Sequence, residues 1–208
     1  MLMTSLLGIK SVYGYSVRAK DAIIGIIDEF YLDIKAWAVS SVAVRTALFP
    51  GRREIYLSSE VLEEIDPGKK AFFVQLTLEE LRGELPNLKK MPSLKRARRL
   101  IGMSLHATDG MAGKVEDFIV NDADFAIRYL VVSPGALGDN LIISPWWVKK
   151  IDGKGGDIFL GANLDEVSQS PKYNFQVPVS REYENELRGF YENHPYWAGE
   201  AEKPKRRS

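Results

Sequence analysis

A chain of 208 residues, 45% hydrophobic and 27% charged, can hold one large domain or two small ones and has enough apolar material for a real core. Its 28 basic and 28 acidic residues cancel, and it has no cysteine, which excludes disulfides, thiolate metal ligands and thiol catalysis and fits a reducing compartment. No apolar run approaches the ~20 residues of a membrane-crossing helix. Met1 to Ile9 has no basic residue ahead of its apolar part, so the chain reads as soluble and cytoplasmic, with no transmembrane segment and no secretory signal.

In chain order, short alternating or β-branched runs predict strands at Val39–Val44, Glu54–Leu57 and Ala71–Leu76, then at Met103–Ala107, Lys114–Asn121, Ile127–Ser133, Leu141–Ser144 and Asp157–Gly161. Turn signals separate the later group: Thr108-Asp109-Gly110, Asn121-Asp122, Pro134-Gly135 and Gly153 to Gly156. Short helices are predicted at Leu78–Arg82 and Leu164–Ser168, with Thr77 and Asn163 as N-caps. Between Ser180 and Asn193, Tyr183, Leu187, Phe190 and Tyr191 fall on one helical stripe. Such a stripe must pack, either in cis on the second module or on a second protomer.

The sequence repeats itself. Shifted by 88 positions, Gly14 meets Gly102, Asp21 meets Asp109, Gly25 meets Gly113, Phe30 meets Phe118 and Val44 meets Val132. Beyond a turn-rich stretch the shift is 86: Ser58 meets Ser144, Phe73 meets Phe159 and Glu80 meets Glu166. Ordered matching of glycines, acids and core residues marks a tandem duplication. It predicts modules at 9–86 and 98–172, joined by a basic linker at 87–97 and followed at 173–208 by the helix and a disordered basic tail. Five or six short strands per module are expected to close into a small barrel, which removes bare sheet edges. The fold class is thus all-β: two tandem small β-barrels with a C-terminal amphipathic helix.

The stretch Asp109-Gly110-Met111-Ala112-Gly113-Lys114-Val115-Glu116-Asp117, followed by Ile127-Arg128-Tyr129-Leu130-Val131-Val132, resembles the PRC-barrel family. That module occurs in the cytoplasmic part of the photosynthetic reaction-centre H subunit and in the C-terminal half of a ribosome-maturation factor. The first copy departs from the pattern: Ala22 replaces the turn glycine, Ile26 the lysine, and Ser40-Ser41 stands where Arg128-Tyr129 is. The resemblance implies a scaffold or partner-binding role and brings no catalytic residues.

Candidate chemistry is sparse. Asp109, Glu116, Asp117, Asp122 and Asp124 cluster in sequence, but adjacent strand residues face opposite ways, so solvated strand edges and turn caps are expected. His106 and His194 lack any serine–acid motif, and Gly25 and Gly113 precede strands, as hairpin or bulge glycines with positive φ do. Trp146-Trp147 aligns with Glu60-Val61; the alternatives are simple packing or exposure of one ring at a contact. Trp146, Trp147, Arg128, Tyr191 and Trp197 are the partner-contact candidates. The stretch Pro86 to Arg99 holds Lys89, Lys90, Lys95, Arg96, Arg98 and Arg99 and no acid, so Lys95, Arg96, Arg98 and Arg99 are candidates for anion binding. No cofactor or metal is expected. The expected function is a non-catalytic protein-interaction or assembly adaptor, a homodimer being one form, with an RNA- or ribosome-associated factor acting through the basic linker as the alternative.

Overall fold

A computed structural model describes residues 6–48, 54–84, 94–135, 138–153, 155–174 and 181–192. Residues 85–93, which include the predicted linker residues 87–93 with Lys89 and Lys90, and Ser180, His194, Trp197 and the basic tail lie outside these. The chain is mostly β, arranged in two sheets, and divides into two compact units: residues 1–99 with 118–127, and residues 100–117 with 128–208.

The first unit begins with β1 (Leu6–Gly8) and a single-turn helix α1 (Ile9–Val12). There follow β2 (Ser16–Arg18), the long β3 (Ile23–Asp33), β4 (Ala38–Arg45), β5 (Glu54–Ser58), β6 (Leu62–Asp66), β7 (Ala71–Val74) and helix α2 (Leu78–Glu84). Its sheet runs β5-β4-β3-β2-β7-β6, with β8 (Leu94–Arg96) added on β3. Helix α3 (Ala97–Leu100), β9 (Ser104–His106), β10 (Met111–Asn121), β11 (Ile127–Ser133), β12 (Asn140–Ile143), β13 (Val148–Asp152), β14 (Asp157–Leu160), α4 (Leu164–Ser168), β15 (Lys172–Tyr173) and α5 (Arg181–Glu192) follow among the described residues. The second sheet runs β13-β14-β9-β10-β11-β12-β15, with β1 added on β10. Set aside β15 and the added strands, and the two orders are the same, element for element.

The repetition extends to individual hydrogen bonds. Gly14 and Gly102, both at positive φ (78° and 88°), donate to Ile27 and Val115 carbonyls. Lys70 and Gly156, also at positive φ, accept from Ser16 and Ser104. A side-chain bond is duplicated too: the Asp21 carboxylate accepts the first helical N–H of α2 from Leu78, and Asp109 does the same for Leu164 of α4, both at 2.8 Å. Each helix is closed by a reciprocal Thr77–Glu80 or Asn163–Glu166 cap. The shared offset of 88, falling to 86 after β4 or β11, therefore holds in space as in sequence.

The core glycines differ in cause. A Cβ on Gly25 would lie 2.1 Å from the Arg45 carbonyl oxygen, and one on Gly113 would lie 2.2 Å from that of Ser133. Gly113 also has φ +142° beside a register shift, the bulge expected of it. Gly25 has no positive φ; only the closeness of β4 excludes a side chain there.

Inside the first unit, a second pattern is not apparent from the predicted modules. β8 pairs antiparallel with β3, Leu94 opposite Asp33 and Arg96 opposite Tyr31. β1 pairs in the same manner with β10, Leu6 opposite Asn121 and Gly8 opposite Ile119. The two registers are related by 88 at every position. Between them Ala38 and Ala126 form an antiparallel bridge. Val39 N–H donates to the Phe125 carbonyl and Ile127 N–H to that of Trp37. Trp37 and Phe125 both take left-handed φ (49° and 55°), rare for aromatic residues and held here by this double crossing.

The glycines yield a test. Gly25→Ala and Gly113→Ala are each expected to cost on the order of 3 kcal/mol, because carbonyl oxygens of neighbouring strands must retreat. Gly102→Ala, at positive φ but with open space around it, is expected to cost about 1 kcal/mol. Urea unfolding of the three variants measures the difference.

Candidate functional site

Three groups of residues carry the chemistry available for function: a buried carboxylate in the first unit, an aromatic nest in the second, and one outward sheet face in each.

The carboxylate is Glu29 on β3, only 7% exposed. One of its oxygens, Oε1, accepts from the Tyr13 hydroxyl at 2.9 Å, from Phe30 N–H at 2.9 Å and from Arg98 N–H at 3.4 Å. The Arg98 guanidinium lies 4.3 Å from the centre of the Tyr13 ring and donates to the Asp28 carbonyl at 3.0 Å. Burial, and then the Glu29 charge, pushes the Tyr13 hydroxyl far above its ordinary range. The matching position in the second copy is Asp117, also buried. The acids Glu116 and Asp117 do face opposite ways, but Asp117 points inward; it is not a solvated strand edge. Asp109 and Asp124 behave as caps, accepting from Leu164 and Ala126 N–H.

The basic candidates divide accordingly. Lys95 and Arg96 lie on β8, inside a sheet, so this part of the predicted linker is a paired strand. Arg96 stands 5.9 Å over the Tyr31 ring, which meets Tyr56 edge-on. Arg98 is held as above, and Arg99 is exposed on α3.

The aromatic nest settles where α5 docks: in cis, on the second unit. Leu187 and Tyr191 are buried. The Tyr191 hydroxyl donates to the Ile142 carbonyl of β12, and the Tyr183 hydroxyl to the Lys172 carbonyl of β15. The Tyr191 ring meets Trp147 edge-on at 5.4 Å and lies 6.0 Å from Tyr129. Trp147 and Tyr191 are therefore interior. Trp146, its backbone N–H capped by the Ser144 hydroxyl, remains 48% exposed, and Arg128 is exposed on β11. The neighbouring tryptophans separate because a 3-10 turn at Pro145–Trp147 turns successive side chains to different sides. Burial raises the Tyr191 hydroxyl, and lifts Tyr129 to about 12 with help from the Glu184 charge.

The outward faces follow from register. In the first unit Glu64, Phe73, Arg18 and Ile23 stand opposite one another across β6, β7, β2 and β3. In the second, Lys150, Phe159, His106 and Met111 do so across β13, β14, β9 and β10. Directly opposed residues share a face. His106 stacks on Phe159 at 5.2 Å and bonds Asp157 Oδ1 at 2.8 Å; Lys150 stands 5.7 Å over Phe159. These rows were missed in the sequence because β6 and β13 were not predicted. Had they been, the 86 offset would have shown Phe73 and Phe159 as matched outward aromatics.

No family profile matches the chain, and no curated protein matches it in sequence. Among the described residues, no helix is long and apolar enough to cross a membrane.

Two measurements check the roles of Glu29 and the buried tyrosines. Glu29→Ala removes the acceptor shared by Tyr13, Phe30 and Arg98 and is expected to cost roughly 2–3 kcal/mol in denaturant unfolding; Tyr13→Phe costs about 1 kcal/mol. The tyrosines set an alkaline limit. Their folded values exceed the unfolded value of about 10, so native Tyr129 keeps a proton that the unfolded chain has released. Stability is therefore full below pH 10 and falls as pH rises toward 12, by at most roughly 1.4 kcal/mol per pH unit per buried tyrosine. Tyr129→Phe is expected to flatten that slope.

Proposed function

We propose that this chain is a non-catalytic adaptor of PRC-barrel type that binds a protein partner in the cytoplasm through a surface centred on Trp146. The single observation behind this reading is the separation of the tryptophan pair: Trp147 joins the nest under α5, while Trp146 stays 48% exposed. A large ring about half exposed beside a packed aromatic cluster is the common make-up of a contact hot spot. Arg128, exposed on β11, supplies a cation on the same unit. Closure of each sheet into a small barrel is part of the proposal. It is supported by the 3-10 turns Ser59–Val61 and Pro145–Trp147, which carry the chain directly from β5 to β6, the two ends of the first strand order, and from β12 to β13, the two ends of the second once β15 is set aside. Buried Val17, Ile27, Phe30 and Phe72 in the first unit, and Leu105, Val115, Leu130 and Ile158 in the second, would fill such barrels. The RNA-associated reading needs Lys95, Arg96, Arg98 and Arg99 free for phosphate, and the ring and carbonyl contacts of Arg96 and Arg98 weigh against it.

Affinity capture with the full chain from native extract tests the adaptor. A specific protein is expected, its recovery falling about tenfold with Trp146→Ala while the melting temperature is unchanged. Equal recovery with the variant, or no specific protein, would remove this reading.

A further inference from the structure

The outward rows carry an inference independent of Trp146. Among the described residues, seven large apolar side chains are exposed, and four of them lie on these two faces: Ile23 (57%) and Ile26 on the first, Met111 (56%) and Phe159 on the second; Leu48, Trp146 and Leu164 are the others. Ile26 stands opposite Ser16, next along the same face. Apolar residues grouped on one side of a sheet mark a contact surface. The charges in the rows then select what can cover it.

Read from edge to centre, the first row is Glu64, Phe73, Arg18, Ile23 and the second is Lys150, Phe159, His106, Met111. The aromatic and the apolar end are kept in both. The outer position reverses sign, Glu64 against Lys150; a cation stands over each ring, but Lys69 over Phe73 is paired with Asp66 at 2.8 Å, so the outer charge that differs between the faces is that of Glu64 and Lys150. At the third position Arg18 in one row matches His106 in the other, beside which lies the Asp157 carboxylate at 2.8 Å. Laying two faces together with rows aligned gives three combinations. Two first faces would set Glu64 on Glu64. Two second faces would set Lys150 on Lys150. Only a first face on a second face sets Glu64 on Lys150, Phe73 on Phe159, Arg18 beside Asp157 and Ile23 on Met111. Reversing one row with all four positions in contact puts Glu64 or Lys150 over an aliphatic side chain, where a charge loses water and gains nothing. Like charges reject the wrong pairings and opposite charges hold the right one.

We infer that the chain self-associates, the Glu64–Phe73–Arg18–Ile23 face of one copy seated on the Lys150–Phe159–His106–Met111 face of a second copy. The arrangement joins different surfaces of two identical chains, so each contact is heterologous.

The test uses the full chain in sedimentation velocity from low concentration to about 100 µM, a range that captures association of ordinary transient strength. Wild type is expected to associate with concentration and to dissociate as salt is raised. Glu64→Lys alone and Lys150→Glu alone are each expected to weaken association about tenfold or more. Mixing the two variants is expected to restore it, because each chain then offers the charge that the other's altered face needs. Trp146→Ala is expected to leave it unchanged, which separates this inference from the adaptor reading. Both charge positions are exposed, and circular dichroism of each variant verifies its fold. A wild type that stays monomeric, single variants that associate like wild type, or a mixture that fails to recover would each overturn the inference.

Discussion

The architecture of the first unit depends on one reciprocal contact between segments 88 positions apart. Residues 31–33 receive β8 while residues 119–121 receive β1, and Ala38 bridges Ala126 between them. Each short strand alone would be marginal; three residues bury too little to offset the entropy of fixing them. Docked on long strands already held by their own neighbours, they satisfy backbone groups that would otherwise form a bare edge. The left-handed Trp37 and Phe125 are the conformational cost of turning both hairpins tightly enough for Val39 and Ile127 to exchange bonds. This explains why the compact unit takes in residues 118–127, which the duplication assigns to the second module. It also explains why Arg96 and Arg98 are held to rings and carbonyls: the stretch that carries them is a strand and a helical turn in register with β1 and α1.

Most of the frame was legible because it rests on local chemistry that a sequence displays. β11 and α4 coincide with their predicted spans, and the paired glycines, capping residues and acids appear twice in order, so chance matches are separated from structural ones. The missed elements are those whose signal is weak or distant. β6 and β13 carry adjacent charges, Glu63-Glu64 and Lys149-Lys150, that break the alternation a half-buried strand should have; a register shift in each accommodates the extra residue. β1 and β8 are too short for any periodic pattern. Their signal was the repeat itself, which continues upstream through Leu6 with Leu94 and Val12 with Leu100. The candidate site was less legible. A helical stripe shows that α5 must pack but not where, since Tyr191 reaches a carbonyl 49 residues earlier in the chain. Nothing local in Trp146-Trp147 indicates which ring the 3-10 turn buries.

What differs between the copies is as informative as what is shared. Backbone bonds, caps and close glycine contacts are kept, because each fixes the path of the chain. Side chains on the outer surfaces are free to change without disturbing it. Tyr31 and Tyr56 in the first copy stand where the second has Ile119 and Ile142. In the first unit Arg96 stacks over Tyr31; in the second, the matching strand β12 takes β15 along its edge and the Tyr191 hydroxyl on its Ile142 carbonyl. One frame thus supports two surfaces of different chemistry.

Covalent duplication makes that divergence possible. If two identical single-copy chains exchanged strands in this way, every substitution would appear on both, and a charge gained on one face would be gained on its twin. Fusing the copies releases that constraint. The inner acid can be Glu29 in one copy, long enough to reach Tyr13 and the Arg98 backbone, and the shorter Asp117 in the other. The outer rows can likewise hold Glu64 on one face and Lys150 on the other. In a symmetric assembly of identical modules every face carries the same charges, and a residue meets its own copy at the two-fold axis, whereas a chain with two differentiated faces can hold one charge on one face and its opposite on the other.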